Sequence, residues 1–165
     1  MDIEEIASEV SSSISSAKQI EPFSKRGLVL PLQEAYDVAK IVRQKLGTTE
    51  LIGRKIGFTN RNIWNTYNVD QPIWGPITTS SVSFLESNFL EIDLSKFCEP
   101  RIEPEIVVCL KQKPKDGSEN SKINLDWIAP GFEIVDSIYP NWKFSLTDAI
   151  ASVGLHGCLV VGKKF

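Results

Sequence analysis

Two glutamates one residue apart open an apolar run, Glu103-Pro104-Glu105-Ile106-Val107-Val108-Cys109-Leu110. On an extended strand, residues two apart project from the same face, with about 7 Å between their alpha carbons. Carboxylates so placed can converge on one hard cation, at the roughly 2.0–2.6 Å that Mg²⁺ or Ca²⁺ takes from oxygen ligands. Pro104 cannot donate to a ladder, so it marks a strand start, an edge or a bulge, and such places border sites. Two solvated glutamates on an outer face are the plainer alternative. A third carboxylate bears on the choice. Glu133 lies in Gly131-Phe132-Glu133-Ile134-Val135-Asp136 with apolar residues on both sides. A carboxylate desolvated there needs a cation, a proton or hydrogen bonds. Arg101 or Lys55 could supply the charge as a structural partner, but three carboxylates favour a divalent metal on Glu103, Glu105 and Glu133.

Two further side chains could move protons. Lys55 sits in an apolar strand pattern, Leu51-Ile52-Gly53-Arg54-Lys55-Ile56-Gly57-Phe58. A buried lysine loses its proton more readily and serves as a proton-transfer group or a carboxylate anchor. An exposed lysine on an edge strand fits the same pattern. His156, in Gly154-Leu155-His156-Gly157, follows a short helical stretch and precedes a strand. A lone histidine is more often structural, and only its glycine-flanked turn raises it above that reading. The chain has one histidine and three cysteines without metal-type spacing. A His/Cys zinc site is thereby nearly excluded, so a metal here is expected to sit on oxygen.

The elements that position these groups read in two blocks. Ile3, Ile6, Val10 and Ile14 recur at helical spacing over 2–19, interrupted by serines, and give a peripheral amphipathic helix that packs on its own domain. Pro31 opens a second helix with Ala35, Val38, Ala39, Val42 and Leu46 on one face and Gly47 as its stop. From Leu51 onward, β-branched and aromatic runs separated by Pro, Gly, Asn and Ser predict strands at 51–58, 82–85, 89–94, 103–110, 131–138 and 157–162. Short helices are expected near 60–66 and 146–153, and 112–122 reads as a solvated loop. The organisation is an N-terminal helical segment, 1–50, packing on a strand-rich metal-binding body, 51–165, in an α+β arrangement rather than a doubly wound sheet.

Composition excludes several function classes. The 165 residues are 42% hydrophobic and 24% charged with a net charge of -3, an ordinary globular balance without a nucleic-acid footprint. The acidic start Met1-Asp2-Ile3-Glu4-Glu5 is unlike a secretory leader, and no apolar run reaches membrane-spanning length. Cys98, Cys109 and Cys158 are therefore expected as buried free thiols in a cytosolic protein. Gly53-Arg54-Lys55-Ile56-Gly57 lacks a helix start that could cradle a phosphate.

Taken together, KIGFTN (55–60), PIWGP (72–76), EPRIEPEIVV (99–108), GFEIVDS (131–137), NW (141–142) and DAIA (148–151) resemble one family in order. They are similar to the 2-keto-4-pentenoate hydratases of the fumarylacetoacetate hydrolase superfamily, over most of the chain from about Pro31. The resemblance implies a mixed β-roll like that superfamily's C-terminal domain. It implies Mg²⁺ or Mn²⁺ on Glu103, Glu105 and Glu133, Lys55 as a catalytic group, and Phe58, Thr59 and Gly154 around a 2-keto acid substrate. The implied reaction is hydration of a 2-hydroxy-dienoate in aromatic catabolism. A sibling decarboxylase, a C–C hydrolase or a non-catalytic binding or assembly module would share the same site. The chain departs from the family pattern at Ala151-Ser152-Val153-Gly154-Leu155-His156, where many members read Ala-Asp-Asn-Ala-Ser-Ser. Ser152 and Val153 replace the polar Asp and Asn, and His156 is expected to take over a proton role at the pocket rim. Family members also continue past Phe165 through strands that close the roll. The expectation is thus a roll incomplete at the C-terminus, with an edge open after 157–162 that invites homo-oligomer formation.

Overall fold

The structure is a computed structural model that describes residues 1–47, 50–113 and 124–165. Helix α1 spans Ile3–Ser16 and begins with a reciprocal cap, in which Asp2 accepts from the Glu5 N–H and Glu5 from the Asp2 N–H. Its serines turn inward on the helix: Ser8 and Ser16 donate to the carbonyls of Glu4 and Ser12, so their hydroxyls do not compete for water. Helix α2, Leu32–Lys45, starts after Pro31 and buries Ala35, Val38, Ala39 and Val42, the expected face. Gly47, at φ 71°, ends it. The two helices close on Phe23, Ile138, Tyr139, Ala151 and Val153 to form one core.

Strands β1, Leu51–Gly57, and β2, Ile73–Thr78, make an antiparallel ribbon, with the short helix α3, Trp64–Tyr67, between them in sequence. Strand β2 is absent from the sequence reading because Pro72, Gly75 and Pro76 look like loop punctuation. It forms because, among the described residues, β1 is its one strand partner, which leaves the other side of β2 free of ladder demands on Pro76. The second sheet runs β3-β6-β5-β4, from strands Val82–Phe84, His156–Val161, Leu125–Asp136 and Pro100–Leu110. Only β3 with β6 is parallel. Helix α4, Leu146–Ala151, precedes β6. The architecture is α+β with mixed pairing, as the residue patterns indicate.

Three expectations need correction. Residues 89–94 are not a strand: Phe89 is exposed without a ladder, and Asp93 caps a 3₁₀ turn over Leu94–Lys96. The edge after β6 is not open. β6 lies between β3 and β5, and the tail keeps pairing through Gly162 N–H to Pro130 and a two-way bond between Phe165 and Ile128. Among the described residues, the edges of this sheet are β3 and β4. Cys98, Cys109 and Cys158 are unpaired but half-buried rather than buried. Partial burial still pushes the Cys98 thiol up to about 11, aided by the Asp136 charge. Residues 114–122 of the expected loop lie outside the described residues. Among those described, no helix is long and apolar enough to cross a membrane.

One buried carboxylate fastens the helical layer to the body. Asp148, 2% exposed, accepts from the backbone and hydroxyl of both Ser145 and Ser24, and Ser24 belongs to the turn Phe23–Arg26 beneath α1. Asp148→Ala would strand those half-buried donors and leave a cavity at a buried site. It should cost about 3 kcal/mol, seen as a lower urea midpoint at an unchanged slope.

Candidate metal centre and substrate pocket

The site grows from strand alternation. On β4, Arg101, Glu103 and Glu105 share one face, and Ile102, Pro104, Ile106 and Val108 share the other. Antiparallel register sets Glu133 of β5 directly across from Glu103, and Gly131 across from Glu105. One carboxylate oxygen from each of Glu103, Glu105 and Glu133 lies within 4.8 Å of the others. The geometry thus brings together the three acids singled out in the sequence.

Glu133 is the deepest, at 2% exposure. The Lys55 Nζ lies 3.1 Å from its Oε2, and the His156 Nδ1 lies 2.7 Å from its Oε1. Burial pushes its pKa up, but the His156 hydrogen bond and the Lys55 charge outweigh it and hold the carboxyl below its ordinary value. Glu103 and Glu105 are raised instead. Their carboxyl ends are crowded by protein, and Glu133 repels both, while Lys55 offsets part of the cost. Three carboxylates share one ammonium here, so the cluster fits a further cation, and its all-oxygen donors suit a hard one.

Glycines build the channel for Lys55. Lys55 pairs with Gly75 across the ribbon. A methyl on Gly75 would sit 2.6 Å from the Val153 carbonyl oxygen and 3.1 Å from the Lys55 stem. Gly154, at φ 70°, packs its own backbone against Gly75 from the other side. The amine is thereby led from β1 to the carboxylates. Beside it opens a cavity of about 80 Å³ walled by Lys55, Phe58, Tyr67, Arg101, Glu103 and Gly154. Phe58 holds a positive φ of 57°, and its carbonyl accepts from the Trp64 indole. Thr59 is exposed and is not part of the cavity wall.

Arg101 does not pair with Glu133. Its guanidinium donates to the Tyr67 hydroxyl at 3.0 Å and stacks over the Trp142 ring. The sequence reading passed over Arg101 and Tyr67 as pocket walls. The signal for Arg101 was present, since residues 101, 103 and 105 must share a face. His156 is not at the rim of this cavity. Its second nitrogen, Nε2, meets the Ser81 hydroxyl at 2.9 Å, and its ring borders a separate cavity of about 130 Å³ with Thr78, Ser81 and Ser152. Ser81, 75 residues from His156 in sequence, carried no local signal.

Proteins of known function resemble the chain along most of its length. No protein-family model matches it. It is 30% identical to a 2-hydroxypent-2,4-dienoate hydratase of Pseudomonas putida over 98% of the chain and 74% of that protein. It is also 30% identical to a 2-hydroxyhexa-2,4-dienoate hydratase of Comamonas testosteroni, over 90% of the chain and 58% of that protein. A 4-oxalocrotonate decarboxylase from Pseudomonas putida G7, solved with magnesium and adipate, superposes with a TM-score of 0.80 at 22% identity, covering 97% of the chain and 62% of that structure. The fold is that of the fumarylacetoacetate hydrolase superfamily. Within it, the chain belongs to the 2-keto-4-pentenoate hydratase family. It spans 58% and 74% of the lengths of the two hydratases named.

The glycine channel yields a direct check. Gly75→Ala should lose about 1–3 kcal/mol of folding stability, because the Val153 carbonyl cannot retreat. Gly53→Ala, whose methyl meets only Ile77 at 3.8 Å, should stay near wild type by urea unfolding.

Proposed function

We propose that this chain is a metal-dependent lyase that adds water to a 2-hydroxy-dienoate, using Mg²⁺ or Mn²⁺ held by Glu103, Glu105 and Glu133. The observation that carries the reading is the meeting of three carboxylate oxygens beside one lysine at a cavity mouth. The names of its relatives support the substrate class, a conjugated 2-keto acid in its enol form. When bound, the ion would act as a Lewis acid toward the 2-keto oxygen and the neighbouring carboxylate of the substrate. Lys55 is the residue for proton transfer along the conjugated chain, since its side chain is 10% exposed and reaches the carboxylate cluster. Arg101, fixed by Tyr67 and Trp142, presents a second positive charge to the same cavity and suits the anionic end of the substrate. Phe58 and Gly154 shape the apolar wall against which the carbon chain would lie.

A second copy of the chain is part of this proposal. The outer face of β4 and β5 exposes Ile102, Ile106 and Phe132, with Ile106 at 79%, which is costly to leave in water. A decarboxylase is the competing activity, supported by the 35% identity to a Pseudomonas 4-oxalocrotonate decarboxylase over 67% of the chain.

Added Mn²⁺ or Mg²⁺ at about 10–100 times its dissociation constant should stabilise the protein by roughly 1.4–2.7 kcal/mol, read as a rise in Tm. Glu133→Gln should erase the rise, and a wild-type protein indifferent to both ions would refute the metal site. Lys55→Ala should abolish loss of the dienoate absorbance while keeping the Tm response to metal. Wild-type turnover in that variant would remove Lys55 from the mechanism. Carbon dioxide release from 4-oxalocrotonate without hydration would assign the decarboxylase instead.

A further inference from the structure

The histidine beside Glu133 has both ring nitrogens engaged, and the groups around them bear on which nitrogen carries the hydrogen. The Glu133 carboxylate offers only lone pairs, so the His156 Nδ1, 2.7 Å from Oε1, must carry the hydrogen between them. The other nitrogen, Nε2, meets the Ser81 Oγ at 2.9 Å. Ser81 closes the 3₁₀ turn Thr79–Ser81. Its oxygen receives the Thr78 N–H at 3.2 Å and the Thr78 hydroxyl at 3.3 Å. The Thr78 hydroxyl also lies 3.1 Å from the Ser80 Oγ, and with Ser80 donating to it the Thr78 hydrogen is directed to Ser81. The Ser81 hydrogen has two acceptors within reach, the Thr78 carbonyl at 3.2 Å and Nε2 at 2.9 Å. The arrangement inferred below gives it to the shorter contact, Nε2. The bonds therefore run in one direction, from Thr78 to Ser81 to His156 to Glu133, and each strengthens the next.

Resting on the metal reading above, we infer that Ser81 is a positioning residue for the metal centre. Its hydroxyl holds His156 in the tautomer with hydrogen on Nδ1, and through that ring it aims the Glu133 carboxylate. Oε1 is committed to His156. Oε2 meets the Lys55 ammonium at 3.1 Å. A carboxylate pinned at one oxygen cannot rotate away from Glu103 and Glu105, and groups that pin a metal ligand in this way commonly set affinity by 10–100-fold. Ser81 touches neither substrate cavity wall beside Lys55 nor the carboxylates themselves. Its action passes entirely through the imidazole.

The chain has one histidine, so its imidazole nitrogens can be read without assignment in a long-range ¹H–¹⁵N spectrum of labelled, metal-free protein. The expected spectrum has one pyrrole-type nitrogen, Nδ1, and one pyridine-type nitrogen, Nε2, shifted by its bond to Ser81. In Ser81→Ala, Nε2 should move toward the position of an unbonded pyridine-type nitrogen, and Ser81→Thr, which keeps the hydroxyl, should restore it. Two pyrrole-type signals in the wild type, or hydrogen on Nε2, would overturn the tautomer lock. By calorimetry, Ser81→Ala should bind Mn²⁺ about 10-fold more weakly, and Ser81→Thr should stay within about 3-fold of wild type. Equal Mn²⁺ affinity in wild type and Ser81→Ala would overturn the positioning role while leaving the metal centre standing. A wild type that binds no Mn²⁺ would bring down the metal centre and this role together.

Discussion

A carboxylate with 2% exposure, Glu133, sits at the crossing of the two sheets, and most of the architecture around it serves to keep it charged. An isolated ionised carboxylate in such a place would cost several kcal/mol. Its compensation comes from separate elements: an ammonium from β1, an imidazole from β6. Neither donor is near Glu133 in sequence. The β1–β2 ribbon and the four-stranded sheet must therefore close on each other before the charge is stabilised, and the ion pair then holds them in one geometry. The glycine channel at Gly75 and Gly154 belongs to the same constraint, since it is what lets the Lys55 stem cross from one sheet to the other.

Site and scaffold overlap for that reason. The Lys55 charge offsets only part of the cost at Glu103 and Glu105, and both are raised above their ordinary carboxylate values by burial and by Glu133. The protein keeps two carboxylates where their charge is disfavoured, next to one whose charge is fully supported. A fold selected only for stability has no use for that imbalance. Three carboxylate oxygens within 4.8 Å of one another are an arrangement that a hard cation would use.

Periodic signals in the sequence were readable, and non-local ones were not. The buried stripe of α2 and the shared face of Glu103 and Glu105 follow from spacing alone, and the apolar flanks of Glu133 foretold its burial and its need for a counter-charge. Strand β2 was missed because Pro72, Gly75 and Pro76 are loop formers until β1 supplies a ladder. The run at 89–94 was overread because alternating apolar residues do not make a strand without a neighbour to pair with. That Lys55 rather than Arg101 meets Glu133 depends on which sheet lies over which face. The Ser81 hydroxyl depends on a turn whose target lies at the far end of the chain.

Strand β4 has two opposite characters. Odd positions carry Arg101, Glu103 and Glu105, and even positions carry Ile102, Pro104, Ile106 and Val108. A slip of one residue against β5 would exchange the two sets, turning the acids toward the apolar side and the isoleucines toward the ion pair. No intermediate register is tolerable, because the pleat admits only two orientations. A chain with β4 mispaired by one step would keep Glu133 with Lys55 and His156, but would turn Glu103 and Glu105 to the exposed outer face and set isoleucines beside the ion pair. The meeting of the three carboxylates therefore belongs to one register of β4 alone.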